Sequence, residues 1–178
     1  MKLFVARHGQ TVWNLQNRIS GITDVELTEL GKEQARQLAC QMEGKKIDII
    51  IASPLKRAID TANIVAEKCN VDVIVDDRLI EQNYGIYEGL NPKMPEFLEN
   101  KRLFAYKYPG GESMMQVAYR AYGLIEDIKG KYRGKNVMLV THGGVCRVIH
   151  TYFYDLTNDE YFHHVTKNCV VREYNLNT

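Results

Sequence analysis

The chain has 178 residues, of which 45% are apolar and 25% are charged, so it is long enough for one domain with a substantial core and too short for two ordinary domains. Its 23 basic and 22 acidic side chains leave a net charge of +1, which argues against a nucleic-acid backbone or an anionic membrane as a partner. No apolar run reaches the roughly 18 residues of a membrane span. The four cysteines lack a Cys-x-x-Cys spacing and no signal-peptide segment is evident, so we expect a cytoplasmic protein with reduced thiols.

In chain order, short apolar runs alternate with amphipathic helical patterns. The first half contains three runs that predict strands: residues 3–6, 47–52 and 71–75. After the first run, apolar residues recur at helical spacing, with Thr28 as the expected N-cap and Gly44 as the stop. Ser53 and Pro54 are the expected N-cap and first residue of a second helix. Strands and helices therefore alternate through this half of the chain.

The second half begins with a segment that has no clear periodicity. Residues 86–111 are rich in proline, aromatic residues and lysine, which indicates a cap or substrate segment. Ser113 and Gln116 form a capping box that opens a third helix. Two further strands are predicted, at residues 137–141 and 170–171. The alternation predicts an α/β fold of three layers, with a mainly parallel central sheet and helices on both faces, in a single domain over residues 1–178.

Basic side chains collect where the predicted strands end. The first strand leads to Arg7 and His8, the second to Arg57, and the fourth to His142, which two glycines follow. Ligands of a parallel sheet bind beyond the carboxyl ends of its strands, where helix N-termini present free N–H groups. Guanidinium groups bind phosphate oxygens in pairs. Any one arginine could instead pair with a surface carboxylate, but agreement among three strand ends favours a phosphate pocket.

Several other phosphate chemistries do not match the sequence. There is no P-loop pattern, no cysteine with arginine six positions later, and no spacing of carboxylates or histidines typical of a metal site. A histidine nucleophile fits, because an imidazole with one unprotonated nitrogen can attack phosphorus while the other nitrogen is held by a hydrogen bond. The reaction also needs an acid for the leaving oxygen and a base for water. We therefore expect His8 to be the nucleophile, with no metal and no cofactor.

Six ordered motifs resemble those of the histidine phosphatase superfamily, which includes phosphoglycerate mutase. They are Arg7-His8-Gly9 with Asn14; Gly21 with Asp24, Thr28 and Gly31; Ser53-Pro54-Leu55 with Arg57; Glu81 with Tyr84-Gly85 and Glu88-Gly89; Pro109-Gly110-Gly111-Glu112-Ser113; and Thr141-His142-Gly143-Gly144. The resemblance covers nearly the whole chain and implies a phosphoglycerate mutase-like fold.

The resemblance also implies roles for individual residues. His8 would become phosphorylated, and Arg7, Arg57 and His142 would hold the phosphoryl group. Glu81 would act as acid and then as base. The residues that would contact the substrate are Asn14, Ser20, Gly21, Tyr84 and Gly143.

One departure from the mutase pattern bears on the reaction. In the cofactor-dependent mutases, a long insertion after the acid motif carries an arginine pair and a lysine that bind the substrate. Here 19 residues separate Gly89 from Pro109, and Pro92 occupies the position of that lysine. A short cap favours escape and hydrolysis over retention of a bisphosphate.

The sequence therefore favours a metal-independent phosphatase that acts on a small phosphorylated metabolite. Two alternatives remain: a cofactor-dependent phosphoglycerate mutase, and a noncatalytic module that senses phosphate. A homodimer is compatible with the aromatic residues of the cap, and the natural substrate stays open.

Overall fold

The computed structural model describes residues 1–176 and contains one sheet in this range, with strand order β3-β2-β4-β1-β5. The strands are β1 (Lys2–Arg7), β2 (Ile49–Ala52), β3 (Val73–Val75), β4 (Val137–Thr141) and β5 (Val171–Asn175). The first four pair in parallel, whereas β5 runs antiparallel to β1 at the edge. The predicted mainly parallel sheet is confirmed.

The longer helices follow the predicted signals. The helices are α1 (Val12–Leu15), α2 (Glu29–Met42), α3 (Lys56–Cys69), α4 (Pro95–Asn100), α5 (Met114–Lys131), α6 (Gly143–Phe153) and α7 (Asn158–His163), with 3-10 turns at Asp77–Leu79 and Gly85–Tyr87. The Thr28 hydroxyl accepts a hydrogen bond from Gly31 N, and Ser113 and Gln116 form the expected capping box. Helix α7 was not predicted.

The sheet is buried on both faces, and alternate residues of β1 show this directly. Leu3 and Val5 belong to a core with residues of α5 and α6, whereas Phe4 and Ala6 belong to a second core with α2 and α3. Full burial of one such large side chain contributes roughly 1.5–3 kcal/mol. The three-layer arrangement is thus confirmed, and it holds the carboxyl ends of β1, β2 and β4 side by side.

The prediction for the start of α3 was wrong. Its N-cap is Leu55, which makes no side-chain capping bond, and the backbone N–H of Lys56 instead donates to the Asp24 carboxylate at 3.0 and 3.2 Å. Ser53 is fully buried at the end of β2, and its hydroxyl lies 2.7 Å from His142 Nε2 on the neighbouring strand end. Because β2 and β4 are adjacent, the Ser53 hydroxyl binds His142 instead of capping α3.

Four predicted strands differ from the observed ones in extent. The first spans Lys2–Arg7 rather than residues 3–6, and the second begins at Ile49 rather than at residue 47. The third strand begins at Val73 rather than at residue 71, and the last continues to Asn175. The sheet partner determines these last two limits, since β3 pairs with β2 only from Val73 and β5 pairs with β1 as far as Asn175.

The predicted cap segment at residues 86–111 contains α4 and most of the second 3-10 turn. It has a small aromatic core of its own, formed by Ile19, Tyr87, Phe97 and Tyr108. The ring centroids of Phe97 and Tyr108 lie 5.7 Å apart, a separation at which aromatic pairs attract each other. The cap is therefore a packed unit rather than an irregular loop.

Candidate active site

A cavity of about 370 Å³ opens where β1 ends, and the cap forms part of its wall. Most of the predicted site residues line it: Arg7, His8, Asn14, Ser20, Gly21, Arg57, Glu81 and Tyr84. His142 and Gly143 do not line it. His142 is fully buried against Arg57, and Gly143 begins α6 with its Cα beside the Arg7 guanidinium.

His8 is held in one tautomer by its own turn. Its ring Nδ1 lies 2.7 Å from the carbonyl oxygen of Gly9, and only a protonated Nδ1 can donate to a carbonyl. Burial lowers the pKa of His8 well below 6.5, and the neighbouring charges of Arg7 and Arg57 lower it further. The neutral imidazole therefore carries a lone pair on Nε2, which has no hydrogen-bond partner within residues 1–176.

Arg57 and His142 form a hydrogen-bonded pair beside His8. Arg57 Nε donates to His142 Nδ1 at 3.2 Å, so His142 Nε2 carries the proton and donates to Ser53 Oγ at 2.7 Å. Burial lowers the pKa of His142 well below 6.5, and Arg57 adds to this effect. The two histidine rings lie 5.1 Å apart. In this arrangement the hydrogen bond to His142 Nδ1 orients the Arg57 guanidinium.

Arg7 is the second buried guanidinium. Its Nη1 donates to the carbonyl oxygen of Thr166 at 2.9 Å, and its Nε is buried without a partner among the described residues. The hydroxyl of Ser20, which also lines the cavity, is another buried group without such a partner. Buried donors are rarely left unpaired, so both groups are suited to bind oxygens of a ligand.

Glu81 is fixed at the N-terminus of α6. Its two carboxylate oxygens accept from the backbone N–H groups of Gln82 at 2.9 Å and of Gly144 at 3.0 Å. A Cβ on residue 144 would lie 2.5 Å from Glu81 Oε1, so only glycine leaves room for the carboxylate. These two hydrogen bonds thus hold a carboxyl group in the cavity that His8 also lines.

Tyr84 and Asn14 close two sides of the cavity. Burial raises the pKa of Tyr84 well above 10, so its phenol stays neutral. The side-chain oxygen of Asn14 accepts from Thr11 N at 3.1 Å and from Asn168 Nδ2 at 3.3 Å. Both contacts orient the Asn14 amide so that its N–H groups remain available to a ligand.

The cavity also contains residues that sequence reasoning missed: Trp13, Asn17, Arg18, Ile19, Pro92, Phe97, Lys101 and Asn168. The Lys101 ammonium makes no hydrogen bond or ion pair with residues 1–176, and burial lowers its pKa to about 8. Arg18 stacks over Trp13, with its guanidinium carbon 4.5 Å from the ring centroid. Arg18 lies close in sequence to Asn14, which could have indicated it. Lys101 differs from the other lysines of the cap only in that Arg102 follows it, so that the two form the one adjacent basic pair of the segment.

Within the described range, no group of three or more His, Cys, Asp or Glu side chains is placed to hold a metal ion. Among the same residues, no helix combines the length and apolar character needed to cross a membrane.

The chain is similar to known proteins that are named phosphatases or phosphoglycerate mutases. A family model for the histidine phosphatase superfamily (branch 1) matches residues 3–178. Phosphoserine phosphatase 1 of Hydrogenobacter thermophilus is 34% identical over 149 residues, which are 80% of this chain and 71% of that protein. The probable phosphoglycerate mutase GpmB of Escherichia coli is 36% identical over 150 residues, or 80% and 70% of the two chains.

Solved structures agree with the fold. A mycobacterial glucosyl-3-phosphoglycerate phosphatase in complex with VO3 superposes with a TM-score of 0.87 at 30% identity, covering 97% of this chain and 90% of that one. The predicted fold and resemblance are both confirmed, and residues of four of the six ordered motifs line one cavity. The chain belongs to the histidine phosphatase superfamily.

Proposed function

We propose that the chain is a phosphatase that hydrolyses a small phosphomonoester through a phosphohistidine intermediate on His8. One observation carries the proposal. The buried His8 ring donates from Nδ1 to Gly9 O at 2.7 Å, which leaves the lone pair on Nε2 in a cavity that also contains the guanidinium groups of Arg7, Arg18 and Arg57 and one carboxylate. That arrangement suits in-line attack on a phosphorus atom.

In the first step, His8 Nε2 forms a bond to phosphorus as the ester P–O bond breaks. Arg7 and Arg57 offset the negative charge on the non-bridging oxygens. Glu81, in its protonated form, gives its proton to the departing alkoxide.

In the second step, the Glu81 carboxylate removes a proton from a water molecule that attacks the phosphohistidine. The P–N bond breaks, inorganic phosphate leaves, and His8 Nε2 regains its lone pair. Donors that are already oriented before the reaction need no reorganisation as the charge develops.

Hydrolysis is favoured over mutase activity by the short cap, which spans residues 86–111 and contributes Phe97 and Lys101 to the cavity. The phosphatase names of two of the similar proteins support the same choice. Phosphoglycerate mutase activity is the second candidate, because GpmB is named a probable mutase. A noncatalytic phosphate sensor would not need both a free imidazole and a carboxylate in one cavity.

The central test traps the phosphoenzyme. After rapid mixing with nitrophenyl phosphate and an alkaline quench, mass spectrometry should find one phosphoryl group on the peptide that contains His8. His8→Ala should abolish both this signal and turnover. His163→Ala is the matched control, since His163 is exposed on α7, and it should retain both. Substantial turnover by His8→Ala would refute the proposal.

Two further measurements define the reaction. We propose that no metal takes part and that the enzyme works in the cytoplasm on a small phosphorylated metabolite. Hydrolysis should then be unchanged in excess chelator, and recovery of activity only on addition of a divalent metal would contradict this. A bisphosphoglycerate-dependent mutase rate above the hydrolysis rate would make the mutase the better description.

A further inference from the structure

The carboxylate of Glu88 lies where two of the motif segments meet. Its Oε1 accepts from the backbone N–H groups of Ile22 at 2.9 Å and of Tyr84 at 3.2 Å. Its Oε2 accepts from Thr23 N at 2.8 Å and from the Thr23 hydroxyl. Glu88 is half-buried and forms no ion pair with residues 1–176. A carboxylate that binds three backbone donors and no cation serves to hold the backbone.

The loop of residues 20–24 that Glu88 holds is also the loop that binds Arg57. Arg57 Nη1 donates to the carbonyl oxygen of Thr23 at 2.8 Å, and Nη2 donates to that of Gly21 at 2.6 Å. The peptide group between Gly21 and Ile22 therefore donates to Glu88 through the Ile22 N–H while it accepts from Arg57 through the Gly21 carbonyl. Hydrogen bonds linked in this way polarise and strengthen one another.

The Glu88 carboxylate packs closely against the loop at Gly21. Gly21 has a φ of +51°, and a Cβ on it would lie 1.9 Å from Glu88 Oε1. The carboxylate thus packs directly on the Cα of a residue whose left-handed conformation favours glycine. Any movement of Glu88 would release the loop on which both Arg57 contacts depend.

We infer that Glu88 is a positioning residue, whose carboxylate holds loop 20–24 so that the carbonyl oxygens of Gly21 and Thr23 direct the Arg57 guanidinium towards the phosphoryl group. The inference rests on the proposed function, in which Arg57 binds that group. The negative charge of Glu88 also favours the charged form of Arg57. Burial lowers the pKa of Arg57, and the nearby charges of Glu81, Asp24 and Glu88 oppose this.

The test is Glu88→Gln. The amide keeps the size of the side chain but places an N–H₂ group against backbone N–H donors, so part of the hydrogen bonding is lost. We expect the affinity for inorganic phosphate, measured by calorimetry, to fall about 10- to 100-fold, since a misplacement on the order of 1 Å has effects of that size. The vanadate inhibition constant and kcat/KM with nitrophenyl phosphate should change in parallel.

Asp76→Asn is the matched control. Asp76 is also a half-buried carboxylate that accepts a backbone N–H, from Arg78 at 2.9 Å, and it lies outside the cavity. It should leave phosphate affinity unchanged. If Glu88→Gln lowers only the melting temperature, as Asp76→Asn is expected to do, and binds phosphate normally, Glu88 is merely structural and the inference is wrong.

A double-mutant cycle separates positioning from general damage. If Glu88 acts through Arg57, Glu88→Gln should change phosphate affinity less than about twofold in an Arg57→Ala background, because interacting residues are not additive. Full additivity would overturn the inference. Should Glu88→Gln fail to fold, Thr23→Val removes one donor to the same carboxylate. A folded Thr23→Val with wild-type phosphate affinity would also overturn it.

Binding and turnover distinguish this inference from the function on which it rests. A wild-type chain that binds phosphate but hydrolyses no phosphomonoester would refute the phosphatase and leave the Glu88 effect measurable. A wild-type chain that binds neither phosphate nor vanadate would refute both.

Discussion

At the scale of single residues, Arg57 and Arg7 are held by neutral acceptors. Arg57 donates to two backbone carbonyls and one imidazole, and Arg7 donates to one backbone carbonyl. No carboxylate forms an ion pair with either guanidinium within residues 1–176. A phosphate dianion can therefore bind without breaking a salt bridge, and its charge compensates two cations whose burial is otherwise costly.

The role of Glu81 can be tested with two substrates. Glu81→Gln should slow the hydrolysis of an alkyl phosphate by on the order of 10²–10⁴, because an alkoxide needs a proton to leave. Nitrophenolate needs little help, so phosphorylation by nitrophenyl phosphate should stay fast. Glutamine cannot deprotonate water, and the phosphoenzyme should therefore accumulate as a burst of nitrophenolate in rapid-quench experiments. Equal slowing of both substrates without a burst would show that Glu81 is not the acid and base.

Lys101 should make substrate binding depend on pH. Burial lowers its pKa to about 8, so the ammonium that attracts a phosphate dianion is present below that pH and is lost above it. We expect KM for a phosphomonoester to rise between about pH 7 and about pH 9. Lys101→Met should remove this rise. Lys107→Met, an exposed cap lysine outside the cavity, should retain it, and identical profiles for both variants would contradict the assignment.

At the scale of secondary-structure elements, the N-termini of α3 and α6 both contribute to the site. Arg57 lies in the first turn of α3, and Gly144 N near the start of α6 binds Glu81 at 3.0 Å. Helix N-termini favour negative charge. The anion in front of α6 is Glu81 itself, whereas the Asp24 carboxylate accepts from the first backbone N–H of α3. Each helix is therefore stabilised at the end that faces the site.

The capping role of Asp24 predicts a stability effect. Asp24→Ala should lower the free energy of unfolding by about 1 kcal/mol, the usual cost of a lost N-terminal cap. Chemical denaturation measures this directly. Glu67→Ala is the control because Glu67 is an exposed residue near the C-terminal end of the same helix, and it should change stability by less than about 0.5 kcal/mol. Equal losses in the two variants would mean that Asp24 is not a cap.

At the scale of the whole molecule, the fold buries neutral histidines. Burial lowers the pKa of both His8 and His142 well below 6.5. His164, whose ring is stacked on His150, has its pKa lowered by burial to about 4. In the unfolded chain each of these groups titrates near its usual value of about 6.5. Below that pH the unfolded state binds protons that the folded state does not.

Stability should consequently fall as the pH is lowered. Because the folded pKa values are depressed, the histidine contribution is fully present above about pH 6.5 and decreases below it, by up to roughly 1.4 kcal/mol per pH unit for each histidine. We expect the melting temperature to drop between about pH 7.5 and about pH 5.5. In His8→Gln the decrease should be smaller. An equal decrease in wild type and variant would contradict this prediction.

The sequence by itself determined the five strands, the longer helices and some of the residues at their ends. Apolar runs predict strands because a strand covered on both faces has no polar face, and Thr28 and Ser113 predict helix starts because a cap bonds within three residues. Arg7, His8 and Arg57 could be placed near one another because the carboxyl ends of parallel strands meet at one edge. These inferences need only local chemistry and the alternation of strands and helices.

Only the tertiary structure decided which distant groups complete the site. Asn168 binds the carbonyl of His8 across 160 positions of the chain, and Ser53 binds His142 across 89. Glu88 holds a loop that lies 65 positions away, and Lys101 enters the cavity through the packing of the cap. Polar side chains of these types have many possible partners in a sequence. The antiparallel edge strand, the order of the strands and the aromatic core of the cap select the partners, because they determine which segments come within hydrogen-bonding distance.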